Sequence, residues 1–244
     1  MDFLSTNSSG FFSSRIPLGL IRKISTKVNN LLIDRKYLSN QASSEYIVFD
    51  ELNRLTYLSN IEKIINVEKL KEYLYEIICD ITADYLDYKI STSELHVRWP
   101  DCDLIPPHQD NFYHCFVQPS SFKVLVPIEP IPSQNGFLNF ANVSHDQEVL
   151  LHEASSVPAF SSYIPKNIIS KLNIQWKSYK LDFGDISWHS INSIHFADSN
   201  CSDRIGYFLV FRFDHVKSQT NQVMQNKYQL VFKKHKKLLE EKNK

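Results

Sequence analysis

The hydrophobic pattern of the chain changes after Ser93, and this change constrains the fold more than any other feature. Up to that point apolar residues recur at helical spacing, whereas beyond it short runs alternate apolar and polar residues between Pro, Asn, Ser and Gly. The clearest alternating runs are Glu94–Trp99, Phe122–Glu129, Phe137–Ala141, Tyr179–Phe183 and Ile205–Phe213. Several short strands in succession predict a sandwich or a barrel, and a jelly roll is the barrel-like form whose mouth can hold a ligand. We therefore predict a mainly β protein with flanking helices, built as a jelly roll.

The length of 244 residues fits one domain that buries a substantial core. We expect residues 1–14, rich in Ser, Asn and Gly, to be poorly ordered. A helical scaffold is predicted over 15–92, including a helix from Ile61 to Tyr85, because apolar residues recur there every three or four positions. The jelly-roll core is expected over 93–215 and a C-terminal helix over 222–240.

The charge balance indicates the kind of partner, and the cysteines indicate the redox setting. Lys and Arg together number 27, as do Asp and Glu, so no basic stripe indicates a nucleic-acid partner, and small molecules are favoured instead. The four cysteines form no CxxC pair, which argues against a zinc knuckle or a disulfide framework and favours a reducing, cytoplasmic setting. We find no signal-peptide pattern and no run of ~20 apolar residues, so stable membrane insertion is not expected. No pattern specifies an oligomeric state.

The tripeptide His108-Gln109-Asp110 is the first candidate for chemistry. In an extended segment, side chains two residues apart point to the same face, so the imidazole and the carboxylate can both approach one metal ion. A distant histidine, His189 or His195, can complete the set. Two histidines and one carboxylate on one face of a metal leave the opposite face open, as in non-haem Fe(II) oxygenases. An HxD tripeptide is common by chance, however, so its assignment as a metal site depends on the residues around it.

Those surroundings resemble a known family. The segment Pro106–His114, which reads PPHQDNFYH, resembles the metal motif of the phytanoyl-CoA dioxygenase family, where a proline-rich loop leads into HQDNFY or a close variant. Val126–Leu138, with Asn135-Gly136, is similar to the family's next hairpin, and Leu151–Ser155 is similar to the loop that follows it. Gly184–Arg204 resembles the segment with the second metal histidine, an Asn-x-Ser triplet and an arginine. These matches keep the family's order over roughly the central half of the chain.

The resemblance implies a double-stranded β-helix of the cupin-like type, with residues 15–244 forming a single dioxygenase domain. It also implies Fe(II) held by His108, Asp110 and His195, with 2-oxoglutarate and O2 as cosubstrates. His195 is preferred over His189 because its distance from Gly184 and its place ahead of an Asn-x-Ser match the family's ligand. The activity implied is hydroxylation of an unactivated C–H bond of a small molecule, with release of succinate and CO2. No catalytic side chain is required beyond the metal ligands.

The far carboxylate of 2-oxoglutarate requires a planar, permanently charged donor, which favours arginine over lysine. Arg204, helped by Ser202, is the first candidate. The family commonly places its arginine about two residues further along, at the position that Gly206 occupies here. Arg212 would share the strand face of Arg204 and is the second candidate. Arg98 lies where the family often has a basic residue, and we expect it to contact the cosubstrate or the substrate.

The substrate pocket is the least specified part. We expect the segment from His145 to Ser178, which is long for a loop, to cover the barrel mouth. The side chains predicted to line the pocket are Phe112, His114, Trp188 and His189. Two alternatives stay open at this point: a catalytically inert jelly-roll binding protein, and a cupin-like metalloenzyme that uses another divalent metal without 2-oxoglutarate.

Overall fold

A computed structural model describes residues 9–33, 47–117, 121–129, 138–142 and 148–242. In chain order its strands are β1 (Ser9–Phe12), β2 (Ile47–Phe49), β3 (Leu55–Ser59), β4 (Tyr88–Arg98), β5 (Ile105–His108), β6 (Phe122–Pro127), β7 (Leu138–Ala141), β8 (Glu153–Val157), β9 (Phe160–Tyr163), β10 (Trp176–Ser178), β11 (Ile186–Ser190), β12 (His195–Ala197) and β13 (Gly206–His215). Its α-helices are α1 (Leu18–Ile33), α2 (Glu68–Ile78), α3 (Asn111–His114), α4 (Lys166–Ile169) and α5 (Gln222–Lys242). In this part of the chain no helix is both long and apolar enough to cross a lipid bilayer.

Two antiparallel sheets form the jelly roll. The larger sheet has the strand order β1-β11-β6-β13-β4-β3-β2, and the smaller sheet has the order β10-β7-β12-β5. Strands that follow one another along the chain, such as β4, β5, β6 and β7, alternate between the two sheets. This alternation defines a double-stranded β-helix and confirms the predicted fold class. A separate hairpin, β8–β9, lies between β7 and β10 in the chain.

The main core lies on the outer face of the larger sheet. Leu209 and Phe211 of β13 point to this face and pack in one cluster with residues of α1 and α2. Phe208 and Val210, one residue out of phase, point to the opposite face and line the space between the sheets. Because both faces of the sheet are covered, β6 and β13 read as almost continuous apolar runs.

The predicted disorder of residues 1–14 is wrong for Ser9–Phe12, which form β1 at the edge of the larger sheet and pair with β11. Gly10 permits this pairing because a Cβ there would lie 2.2 Å from the indole nitrogen of Trp188. Composition alone did not reveal a partner strand so distant in sequence. Residues 1–8 lie outside the described part of the chain.

The scaffold before the jelly roll also differs from its prediction. The expected helix from Ile61 to Tyr85 is divided into a 3-10 turn at Ile61–Lys63, the helix α2, and a second 3-10 turn at Tyr85–Asp87. The side-chain oxygen of Asn66 accepts a hydrogen bond from the amide of Glu68, at the start of α2. The region also contributes β2 and β3 to the larger sheet, and β4 begins at Tyr88, before the change of pattern.

Around the smaller sheet, the predicted strand Tyr179–Phe183 is wrong, because the strand there is β10 at Trp176–Ser178. The residues that follow it turn at Gly184, whose φ is +80°. Asp185 stabilises this turn by accepting the amide of Asp182. The Asn135-Gly136 hairpin and residues 145–147 of the expected covering segment lie outside the described residues.

Candidate metal centre

Two of the three predicted metal ligands lie on adjacent strands of the smaller sheet. His108 ends β5, His195 begins β12, and the two residues are direct partners in the antiparallel ladder. Their ring centroids are 4.3 Å apart, and both side chains are buried. The sheet register therefore brings together two imidazoles that are distant in sequence.

Asp110 reaches the same point by a different route from the one predicted. Strand β5 ends at His108, and Asp110 is the N-cap residue of α3 with helical backbone angles, so the alternation of an extended strand does not apply. Its carboxylate oxygens lie 4.0 Å from Nε2 of His108 and 3.8 Å from Nε2 of His195. The three potential ligand atoms lie within 4.8 Å of one another.

Backbone carbonyls orient both imidazoles. Nδ1 of His108 donates to the carbonyl of Pro106 over 2.9 Å, and Nδ1 of His195 donates to the carbonyl of Ser193 over 3.0 Å. With the proton held on Nδ1, each Nε2 keeps a free lone pair directed towards Asp110. Two such nitrogens and one carboxylate fit a divalent transition metal, and the donor set suits Fe(II).

The carboxylate of Asp110 has two further partners. Nζ of Lys123 donates to Oδ1 over 3.1 Å, and Nε2 of His189 lies 3.1 Å from Oδ2. Burial alone would raise the pKa of Asp110, but Lys123 and the histidines outweigh it and hold this pKa well below its usual range. The ligand is thus a carboxylate before any metal binds.

Lys123 was not predicted as a residue of the site, although the sequence contains a signal for it. It is the one charged residue of β6, a strand in which every residue is buried. A lysine at such a position requires a partner, because an unpaired buried ammonium is very costly.

A cavity of about 60 Å³ lies between the sheets beside the triad. It is lined by the three candidate ligands, by the cations Arg98 and Lys123, by His96 and His189, and by the apolar residues Ile105, Leu125, Leu138, Phe160, Ala197, Phe208 and Val210. A second pocket of about 350 Å³ shares His96, Arg98 and Phe160 with it, so the two spaces adjoin at these side chains. Phe160 belongs to β9, and the segment from His145 to Ser178 therefore contributes one wall. A larger groove of about 980 Å³ runs along α5 and contains none of the triad.

Of the four predicted pocket residues, only His189 lines this cavity. Trp188 is one residue out of phase on β11 and is buried in the main core, and Phe112 stacks on His152 with ring centroids 4.3 Å apart. His114 is directed to Arg212, whose Nη1 lies 2.6 Å from Nδ1 of the histidine. An extended strand would place His114 on the same face as His108 and Asp110, but β5 ends at His108 and α3 begins at Asn111.

The residues predicted to bind the cosubstrate do not lie together in the structure. Arg204 is exposed and does not line the cavity, and the Ser202 hydroxyl bonds to Asn200 and to the backbone of Arg204. Arg212 does not line the cavity either, and its guanidinium binds Asp214 at 2.9 Å as well as His114. Arg98 alone among these residues lines the cavity.

Two histidines that are not candidate ligands, the half-buried His114 and the buried His152, predict acid sensitivity. Burial lowers the pKa of His114 and of His152 to about 3, and Arg212 adds to this effect at His114. The unfolded chain therefore binds more protons than the folded chain once the pH falls below the ordinary histidine pKa of about 6.5. We expect the unfolding free energy of the metal-free protein to decrease from that pH towards about pH 3, by up to about 1.4 kcal/mol per pH unit for each residue. Urea titrations across this range measure the slope, which should be shallower in His152→Gln; equal slopes would contradict the assignment.

Comparison with known proteins supports the fold. No family model matches the chain, and no curated protein matches it. A structure of EctD from S. alaskensis with bound Fe has a TM-score of 0.71 at 13% identity and covers 90% of this chain and 76% of its own. EvdO2 from Micromonospora carbonacea var. aurantiaca has a TM-score of 0.66 at 14% identity and covers 90% of each chain. SnoK, a non-heme alpha ketoglutarate dependent carbocyclase from nogalamycin biosynthesis, has a TM-score of 0.65 at 12% identity and covers 90% and 84%.

At these identities the similarity shows the fold alone. The fold and the site define a double-stranded β-helix protein with a buried His-Asp-His cluster between its sheets. The resemblance to the phytanoyl-CoA dioxygenase family stays a prediction.

Proposed function

We propose that this protein is an Fe(II)- and 2-oxoglutarate-dependent oxygenase, related to the phytanoyl-CoA dioxygenases, that hydroxylates an unactivated C–H bond of a small molecule. The observation that carries the proposal is the buried cluster of His108, Asp110 and His195 with both Nε2 atoms directed towards the carboxylate. In this proposal the three side chains hold iron on one face and leave the other open. Bound iron would let O2 act as the oxidant: 2-oxoglutarate would be oxidised to succinate and CO2 with uptake of one oxygen atom, and the other oxygen atom would enter the substrate.

The charges around the cavity support an anionic cosubstrate. Lys123 already balances Asp110, and Arg98 adds a further cation to the same lining. A divalent metal would leave a clear excess of positive charge in a space with largely apolar walls, where electrostatic interactions are strong. A dianion such as 2-oxoglutarate would reduce this excess, whereas a neutral ligand would not.

The remaining side chains act by orientation and exclusion. His189 and Lys123 hold the two oxygens of Asp110 in place, and Phe160, Phe208 and their apolar neighbours exclude water from the cavity. We assign no acid or base role to any side chain, since the metal and cosubstrate carry the reaction.

A small-molecule substrate agrees with what the structural neighbours contain. One structure of EctD from S. alaskensis holds 2-oxoglutarate and 5-hydroxyectoine, and the epimerase SnoN is in complex with Fe3+, alpha ketoglutarate and nogalamycin RO. The adjoining pocket of about 350 Å³ is the space that we propose for the substrate of this chain.

One observation favours a second candidate, a cupin-like metalloenzyme that does not use 2-oxoglutarate. Gly206 stands where the family commonly has its arginine, and Arg204 is exposed. The two candidates differ in their need for the cosubstrate.

Turnover of 2-oxoglutarate distinguishes them. We expect the iron-loaded protein to convert 2-oxoglutarate to succinate slowly by itself and faster with one member of a metabolite panel, and we expect His195→Ala to do neither. Substrate conversion without succinate formation would favour the second candidate. Substrate mass then checks hydroxylation, which predicts the gain of one oxygen atom.

A further inference from the structure

Arg98 is a buried cation that forms no salt bridge within 4.0 Å among the described residues, although Asp103 and Asp198 act on it at longer range. Its Nη2 donates to the backbone carbonyls of Asp103 and Asp198, over 2.7 and 2.8 Å. Its Nε is buried and has no hydrogen-bond partner within the described part of the chain. The residue is 8% exposed. A guanidinium in such surroundings is costly unless an anion binds to it.

The position of Arg98 in the sheet places this cation opposite Gly206 and beside the cavity. Arg98 ends β4, and its direct partner in the neighbouring strand is Gly206, the first residue of β13. Gly206 has the same strand parity as Phe208 and Val210, which line the cavity. Directly opposed residues of an antiparallel pair have their Cβ positions about 5 Å apart on the same face. Arg98 therefore stands beside the place where a side chain at position 206 would enter the cavity.

The other cations near the cavity are committed elsewhere. Lys123 binds Asp110, a candidate metal ligand, and Arg212 binds Asp214. Arg204 lies at the surface, outside the cavity lining. Arg98 is thus the cavity-lining cation that keeps a donor available for an incoming anion.

We propose that Arg98 forms a carboxylate-binding subsite that holds the far carboxylate of 2-oxoglutarate, so that the anchoring arginine is on β4 instead of β13. The inference rests on the proposed function. Both hydrogens of Nη2 are donated to backbone carbonyls, so the donors that remain for a carboxylate are Nε and Nη1, each supported by the positive charge of the guanidinium. Gly206, the direct partner of Arg98, contributes no side chain to this face of the ladder.

The test compares two ligands that differ only at the far end of the molecule. 2-Oxobutanoate carries the same 2-oxo acid group as 2-oxoglutarate but has no second carboxylate. We expect anaerobic calorimetry of the Fe(II)-loaded wild type to show a preference for 2-oxoglutarate of about 10- to 100-fold, the value of a hydrogen bond between charged groups. Arg98→Ala should lose most of this preference and keep its Fe(II) affinity, and Arg204→Ala, the matched surface control, should keep both.

Two further variants distinguish loss of the carboxylate contact from misfolding. Arg98→Lys preserves the charge and should retain part of the preference, because an ammonium keeps the charge but does not reproduce the positions of the guanidinium donors. In the Arg98→Ala background, Gly206→Arg should restore the preference from the opposite strand.

An unchanged preference in Arg98→Ala or Arg98→Lys would overturn the inference and leave the proposed function intact. Loss of the preference in Arg204→Ala instead would move the subsite to the surface loop. A wild type that binds Fe(II) but neither oxo acid would refute the proposed function, and the subsite with it.

Discussion

Replacing His108 or His195 by alanine is expected to abolish retention of Fe(II) while leaving the fold largely intact. Asp110→Ala should lose Fe(II) as well, but at a cost in stability, because it removes a partner of the buried Lys123. The three side chains supply every ligand of the cluster found in the described residues, and two remaining ligands do not hold iron tightly. We expect the affinity for Fe(II) to fall by at least about 100-fold for each variant, since loss even of a residue that only orients a ligand costs about 10- to 100-fold. Anaerobic titration of the purified variants, with circular dichroism to verify folding, provides the measurement.

His189→Ala is the matched control, because His189 is a buried histidine of the same cavity and lies 3.1 Å from Asp110. It should retain measurable Fe(II) binding, weakened only through the looser carboxylate. Iron loss in His189→Ala with retention in His195→Ala would show that the ligand assignment is wrong.

Lys123→Met is expected to destabilise the metal-free protein by about 3 to 5 kcal/mol, the usual cost of removing one partner from a buried ion pair. Its Nζ lies 3.1 Å from Asp110. Burial would raise the pKa of Glu94, but Lys123 and His96 outweigh it and lower this pKa to about 2. Without the lysine both carboxylates lose their main cation. Urea unfolding measures the loss of free energy.

A divalent metal should restore more stability to Lys123→Met than it adds to the wild type, because the metal replaces the missing positive charge. Lys89→Met serves as the control, since Lys89 is exposed on β4 and a substitution there should change the unfolding free energy by less than about 0.5 kcal/mol. Equal effects of the two lysine variants would contradict the ion pair with Asp110.

The jelly roll could be predicted from the sequence because its strands carry their own signal. Alternation and turn residues indicate short strands wherever one face is buried, and the ordered motifs around His108 and His195 supported the same architecture. The predicted strand boundaries were wrong where pairing with a distant strand determined them. Ser9–Phe12 has no strong strand pattern and becomes β1 because β11 offers it a partner.

The candidate site was predictable in its residue types more than in its geometry. His108 and Asp110 were expected to share a strand face, yet a strand end and a helix N-cap bring them together. Phe112 and His114 were expected in the pocket, but the helical turn of α3 directs them to His152 and Arg212. A local pattern predicts which residue types are near one another, while the turn that follows sets where they point.

The relation of Arg98 to Gly206 depends on the register of two strands that are distant in sequence. The sequence singled out each residue separately, Arg98 as a basic residue and Gly206 in place of the family's arginine, without relating one to the other. Their opposition becomes visible only when β4 and β13 are paired, and this explains why Arg204 was the first candidate on sequence spacing alone.

Absorption spectroscopy of the anaerobic protein tests the proposed function most directly, because it requires no knowledge of the substrate. Addition of Fe(II) and then 2-oxoglutarate should produce a weak visible charge-transfer band in the wild type, and the band should be absent from His195→Ala. A wild type that binds Fe(II) but stays colourless at saturating 2-oxoglutarate would contradict the account.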